Sequence, residues 1–245
     1  MSWPTNIFRE DKKPVVSKVV EAKVEQQIES NVLQVTHEEH SQKTSVCVDS
    51  KSKALDALRA KLDSFDKLPF KIHAHNLVFS DGNCNARLML IGEAPGEEED
   101  NLGKPFVGKS GKMLSQFLEA IVDEGGKYDR TRYYITNILP WRPPGNRTPT
   151  ADEIDLMRPF VLEHINIIDP VLIVPVGAVA LRAMGLDRIT NKQGKLHQVD
   201  LGPVARLRNI FPVYHPSYAL RVPSKKRDLW LSLLKMREVL KELGG

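Results

Sequence analysis

From about Leu88 onward, short apolar runs alternate with segments whose apolar residues recur every three or four positions, the pattern of strands that feed helices. Leu88-Met89-Leu90-Ile91 reads as a strand, and about Gly111 to Val122 as a helix with Leu114, Phe117, Leu118 and Ile121 on one face. Tyr133-Tyr134-Ile135-Thr136 reads as a second strand. The helix after it opens with Thr150 and Glu153 in capping-box spacing and carries Ile154, Met157, Val161 and Ile165. Val171 to Val176 makes a third strand, with Pro175 near its end because proline cannot donate to a ladder, and the following helix stops at Gly185. A fourth strand is expected from Asn209 to Tyr214, and a last amphipathic helix from about Lys225 to Glu242 with Leu229, Leu233, Met236 and Leu240 inward. Four strand-helix repeats predict an α/β fold, a three-layer α/β/α sandwich around a central, mainly parallel four-stranded sheet.

Ahead of this alternation the pattern changes. Residues 1 to about 50 mix Lys, Glu, Gln, Ser and Val without a sustained period and hold no aromatic after Phe8, so 1–50 read as a disordered tail and 51–245 as one domain. That domain opens with a short helix from about Lys51 to Leu62, on which Leu55, Leu58 and Leu62 share a face. No stretch approaches the roughly 20 apolar residues that span a bilayer, and MSWPTNIFREDKKP has no apolar signal region, so a cytoplasmic protein without membrane contact is expected.

Charge and cysteine content narrow the chemistry only in part. A net charge of +4 suits a polyanionic partner but also suits many proteins that never meet nucleic acid. Two cysteines, Cys47 and Cys84, form no C-x-x-C pair, so a four-thiolate cluster is arithmetically impossible within one chain. No metal or other cofactor is expected.

In parallel sheets ligands bind beyond the carboxyl ends of the strands, which directs attention to the segments after Ile91, Thr136, Val176 and Tyr214. The first is Gly92-Glu93-Ala94-Pro95-Gly96-Glu97-Glu98-Glu99-Asp100, followed by Gly103-Lys104-Pro105-Phe106-Val107-Gly108. Its small residues admit a ligand close to the backbone, and Glu93 and Glu99 supply carboxylates; alone, the segment reads more readily as an acidic surface turn. After the second strand, Asn137 offers an amide that can donate to and accept from one base edge, and Arg142 and Arg147 lie among prolines in a form suited to phosphates or simply to solvent. After the fourth strand comes His215-Pro216-Ser217-Tyr218-Ala219-Leu220-Arg221, where Pro216 restricts His215 to extended geometry.

Together, GEAPGEEED, GKPFVG, YITN with RPPGNRTPT, and HPSYALR, in that order at successive strand ends, resemble the family-four uracil-DNA glycosylases over roughly Phe65 to Leu243. The resemblance implies a DNA repair enzyme that flips uracil out of single- or double-stranded DNA and hydrolyses its N-glycosidic bond, acting as a monomer. It implies that His215 donates to uracil O2 and that Asn137 reads the O4 and N3-H edge. Phe106 supplies a stacking wall, and Gly92, Ala94 and Glu99 shape the pocket. Glu93 is the candidate for placing water and stabilising the sugar cation, although better-known uracil glycosylases carry an aspartate where this chain has Ala94. Tyr218, Ala219 and Leu220 would enter the duplex, while Arg142, Arg147, Ser217, Arg221, Lys225, Lys226 and Arg227 would meet the backbone.

Relatives of this family carry four cluster cysteines, and their positions here fall at approximately Phe65, Leu68, Trp141 and Met157. All four are apolar, so hydrophobic contact is expected to clamp these segments instead. A non-catalytic or covalently trapping relative of the same fold is the alternative, disfavoured because Glu93, Asn137 and His215 are all retained and no glutamine replaces Ala94.

Overall fold

A computed structural model of the chain describes residues 50–121 and 130–244. The expected tail, Cys47 and the predicted helix end at Val122 lie outside the described residues. Within them a six-stranded sheet runs in the order β1-β3-β2-β4-β6-β5. Its strands are β1 (Asp81–Gly82), β2 (Leu88–Gly92), β3 (Tyr134–Asn137), β4 (Leu172–Pro175), β5 (His197–Asp200) and β6 (Leu207–Ile210). The four central strands are parallel, as the sequence pattern predicts, and β1 and β5 cap the edges antiparallel. The two edge strands escape the sequence reading for different reasons. Strand β1 is two residues long, and β5, His-Gln-Val-Asp, carries one apolar residue in four.

The expected fourth strand is shifted. Regular pairing in β6 ends at Ile210, before Pro212, and the chain touches the sheet once more through a bridge between Val176 and Val213.

Side chains alternate across the central strands and seed two cores. Met89, Ile91, Tyr134, Ile173 and Ile210 face a cluster completed by α1 (50–63), α4 (Ala151–Ile168) and α5 (Ala178–Ala183). Leu88, Leu90, Ile135, Leu172 and Val174 face the other, completed by α3 (Lys109–Ala120), α7 (Pro216–Arg221) and α8 (Ser224–Glu242). The three-layer reading therefore holds. Helix α4 starts where its capping box predicts, with Thr150 Oγ accepting from the Glu153 amide at 3.2 Å and the Glu153 carboxylate accepting from the Thr150 amide at 2.8 Å.

Two short helices complete the set: α2 (Glu97–Leu102) and α6 (Ile189–Lys192). Register brings Gly92 beside Asn137 and Ile91 beside Pro175, so the loops leaving β2, β3 and β4 emerge at one edge of the sheet.

Candidate active site

These loops enclose a cavity of about 840 Å³. Ten of the seventeen residues expected from the sequence at the pocket or on DNA line it: Glu93, Ala94, Glu99, Phe106, Asn137, Arg147, His215, Ser217, Tyr218 and Arg221. Gly92 stands behind the wall rather than in it. A Cβ there would lie 2.3 Å from Asn137 Oδ1 and 2.5 Å from the Phe106 ring, so glycine is what lets those two side chains close on the strand end. Arg142 and Leu220 lie outside the lining.

His215 leaves the sheet in extended geometry and caps α7, as Pro216 requires. Its Nδ1 accepts from the Ser217 amide at 3.1 Å and lies 2.7 Å from Ser217 Oγ. A nitrogen that accepts carries no proton, so the neutral ring presents N–H at Nε2. Burial, assisted by the charge of Arg221, brings the imidazole pKa down to about 4, so neutral is its state at physiological pH. Ser217, expected at the DNA backbone, thus has its amide and hydroxyl committed to His215.

Burial raises the Glu93 carboxyl above 4.5, opposed by a hydrogen bond from Thr148 and by Arg221. Glu99 differs. Its Oε2 accepts from the Gly96 amide at 3.1 Å and its Oε1 from the amides of Val107 and Gly108 at 3.0 and 2.8 Å. Glu99, expected to shape the pocket, thus ties α2 to the loop of Phe106. Phe106 is buried, adopts a positive φ of 55° and sets its ring 6.1 Å from that of His215, while Asn137 is only 5% exposed.

At the rim, four residues expected at DNA are engaged within the protein. Arg147 forms a two-pronged pair with Glu153, at 2.8 and 2.6 Å, which occupies the guanidinium expected at a phosphate. Arg142 Nε donates to Asn146 Oδ1 at 2.7 Å. Ala219 is 2% exposed within the second core and cannot enter a duplex, whereas Leu220, half exposed, and Tyr218, edge-on to Tyr214, remain at the surface. Lys225 pairs with Asp228 at 2.8 Å.

The sequence reading missed Thr148, Gly177, Ala178, Ile189 and Thr190, all in the cavity wall. Gly177 was within reach, since it follows β4 at the strand edge. It has φ of 99°, and a Cβ on it would sit 3.0 Å from His215 Cβ. Ile189 and Thr190 lie in a four-residue helix with no periodicity to announce it.

The segments that carry cluster cysteines in the resembled family meet here through apolar contacts. Leu68, Trp141 and Met157 are at most 3% exposed in the first core, and Phe65 packs against it with its ring edge-on to Phe160 at 5.2 Å. Lys71 Nζ lies 4.6 Å from the Trp141 ring centre and donates to the carbonyls of Leu62, Asp63 and Phe65. These residues offer no thiolate and leave no polar cradle, so they do not fit an iron-sulfur cluster.

Comparison with known proteins agrees with the geometry. The profile of the Uracil DNA glycosylase superfamily matches residues 79–240. The type-4 uracil-DNA glycosylase of Thermotoga maritima is 36% identical over 180 residues, covering 72% of this chain and 89% of that protein. That of Sulfurisphaera tokodaii is 34% identical over 192 residues, covering 76% and 84%. The type-5 uracil-DNA glycosylase of Pyrobaculum aerophilum is 29% identical over 150 residues, covering 56% and 63%.

Proposed function

Because the chain belongs to the uracil DNA glycosylase superfamily and to its type-4 family, we propose that it excises uracil from DNA through the cavity at the strand ends. The reaction breaks the C1′–N1 bond, its electron pair leaving with uracil, and water adds to C1′ and gives up a proton that ends on the uracil anion. Water rather than an amine takes C1′ in this reading, so the product is an abasic site without strand cleavage. Two charges develop, a positive one on the sugar and a negative one at uracil O2.

The observation that carries this reading is the state of His215: a half-buried neutral imidazole with its Nδ1 saturated, leaving Nε2-H as the donor at a cavity wall. Such a donor interacts modestly with a neutral carbonyl and strongly with the anion that forms, which is the differential binding that accelerates a reaction. In this reading Asn137 pairs with the O4 and N3-H edge and Phe106 stacks on the base. Glu93, ionised for the task, places water and faces the sugar cation, with Ala94 leaving that role to it alone. Tyr218 and Leu220 at the rim hold the gap left by the flipped nucleotide, and Arg221 serves both the phosphates and the electrostatics of the pocket.

We further propose that one chain suffices and that single- and double-stranded uracil-containing DNA both serve, in the cytoplasm.

The test is single-turnover excision from a uracil-containing single-stranded oligonucleotide, read as abasic sites. Wild-type protein should cut, and His215→Ala should lose about 100- to 1,000-fold in rate, the effect of removing one oxyanion donor, while binding DNA as before. A His215→Ala enzyme at wild-type rate would remove His215 from the chemistry.

A further inference from the structure

Phe106 adopts a left-handed backbone, φ 55°, that an aromatic residue with its Cβ seldom occupies, so something must hold it there. The grip is on the backbone. Arg130, on the short turn Arg130–Arg132 ahead of β3, donates from Nη1 to the Pro105 carbonyl at 2.8 Å and from Nη2 to the Phe106 carbonyl. The same Nη1 pairs with the Asp81 carboxylate at 2.7 Å, which fixes the guanidinium from the edge strand β1. On the far side of Phe106, Glu99 holds the next two amides, those of Val107 and Gly108. Peptide groups on both sides of one residue are thus pinned by side chains of opposite charge from separate elements. Gly111 closes the arrangement, because a Cβ there would lie 2.1 Å from the Phe106 carbonyl.

Arg130 is absent from the cavity lining, and its terminal nitrogens are spent on Asp81 and on the Pro105 and Phe106 carbonyls. We propose that Arg130, oriented by Asp81, is a positioning residue for uracil excision: it sets the angle of the Phe106 ring so that a flipped base meets a preformed stacking wall. The inference rests on the excision reading above. A planar fork with several fixed donors can hold two successive carbonyls and a carboxylate at once, which a lysine ammonium on a flexible stem cannot do with the same orientation. Arg130 therefore acts on catalysis only through Phe106, and that dependence separates positioning from general support of the fold.

The experiment is a double-mutant cycle on the full chain. Wild type, Arg130→Met, Phe106→Ala and the double variant are compared for single-turnover excision of uracil and for affinity toward an oligonucleotide carrying a tetrahydrofuran abasic analogue, which has no base to stack. Arg130→Met should slow excision roughly 10- to 100-fold, the scale of a misplaced binding group, and leave affinity for the analogue unchanged. In the Phe106→Ala background the same substitution should cost little more, because the group it positions is gone. Arg130→Lys should recover only part of the rate. Wild-type excision by Arg130→Met, or a loss of equal size with and without Phe106, would overturn the proposal. Asp81→Asn keeps the guanidinium and removes its anchor, so it serves if Arg130→Met does not fold; it should show a smaller loss that again disappears with Phe106, and wild-type excision by Asp81→Asn would also overturn the proposal. Failure of the wild-type chain to cut uracil would strike the excision reading instead, a result the cycle keeps separate.

Discussion

Glu93 and Arg221 face one cavity, where burial pushes the carboxyl above 4.5 while the guanidinium and a hydrogen bond from Thr148 pull it back. If the ionised carboxylate places water, excision must fall as pH drops through that raised value. His215 contributes no limb near 6.5, because it is already neutral down to about 4. The single-turnover rate against pH should therefore show an acid limb placed above 4.5. Glu93→Gln should lower the plateau and abolish the limb. An unchanged limb in Glu93→Gln would assign the titration to another group.

Folding stability should carry a separate pH dependence, set by His164 and His215. His164 is fully buried, lies 2.9 Å from the Tyr134 hydroxyl, and has its pKa brought down by burial to about 3. Its folded value lies below the unfolded 6.5, so the unfolded chain binds the extra proton between those limits. Stability is thus whole above 6.5 and falls as pH drops toward about 3 for His164 and about 4 for His215, by roughly 1.4 kcal/mol per pH unit for each histidine. Urea unfolding between pH 7 and pH 5 measures the slope. His164→Gln should flatten its share, and an unaltered slope would mean that His164 is not the group that titrates.

The apolar clamp makes its own prediction. Trp141 is 3% exposed and Met157 fully buried, so Trp141→Cys with Met157→Cys opens a void between α4 and the loop after β3. Truncating a buried Trp costs about 3 to 5 kcal/mol, and the melting temperature should fall accordingly. The purified variant should still bind no iron, since two new thiols beside Phe65 and Leu68 leave the ligand set short. An unchanged melting temperature would refute the clamp.

How much of this was legible depends on what each residue does. The central strands, α3, α4 and α8 announce themselves because burial on one face imposes a period on the sequence, and the positional rule for parallel sheets then directs attention to the cavity. Asn137 and His215 are readable for that reason. The assignments of Ser217, Arg147 and Glu99 were not, because a polar residue on a loop looks the same whether it meets a ligand or a neighbouring backbone group. Only distances show that Ser217 serves His215, that Arg147 serves Glu153 and that Glu99 serves three amides. Edge strands and single-turn helices are invisible to periodicity because they are shorter than the period needs.

Base choice gives the sharpest test of the pocket. Asn137 ends β3, buried, with its Oδ1 against the Cα side of Gly92, so the amide has little freedom to turn. In that fixed frame an amide can donate to uracil O4 and accept from N3-H. Asn137→Asp replaces the donor by an acceptor while keeping the shape. Uracil O4 then meets a carboxylate oxygen, whereas the N4 amino group of cytosine finds a partner, so uracil excision should drop and weak cytosine excision should appear. The gain should be small, because the new carboxylate is desolvated and held among buried groups that disfavour its charge. Leaving cytosine in addition gains less from His215 Nε2-H alone than uracil does, since cytosine forms a less stable anion. Matched oligonucleotides carrying uracil or cytosine, cut under single-turnover conditions by wild type and Asn137→Asp, measure both changes at once. Uracil excision at the wild-type rate by Asn137→Asp would move base recognition away from Asn137, and with it the orientation that points uracil O2 at His215.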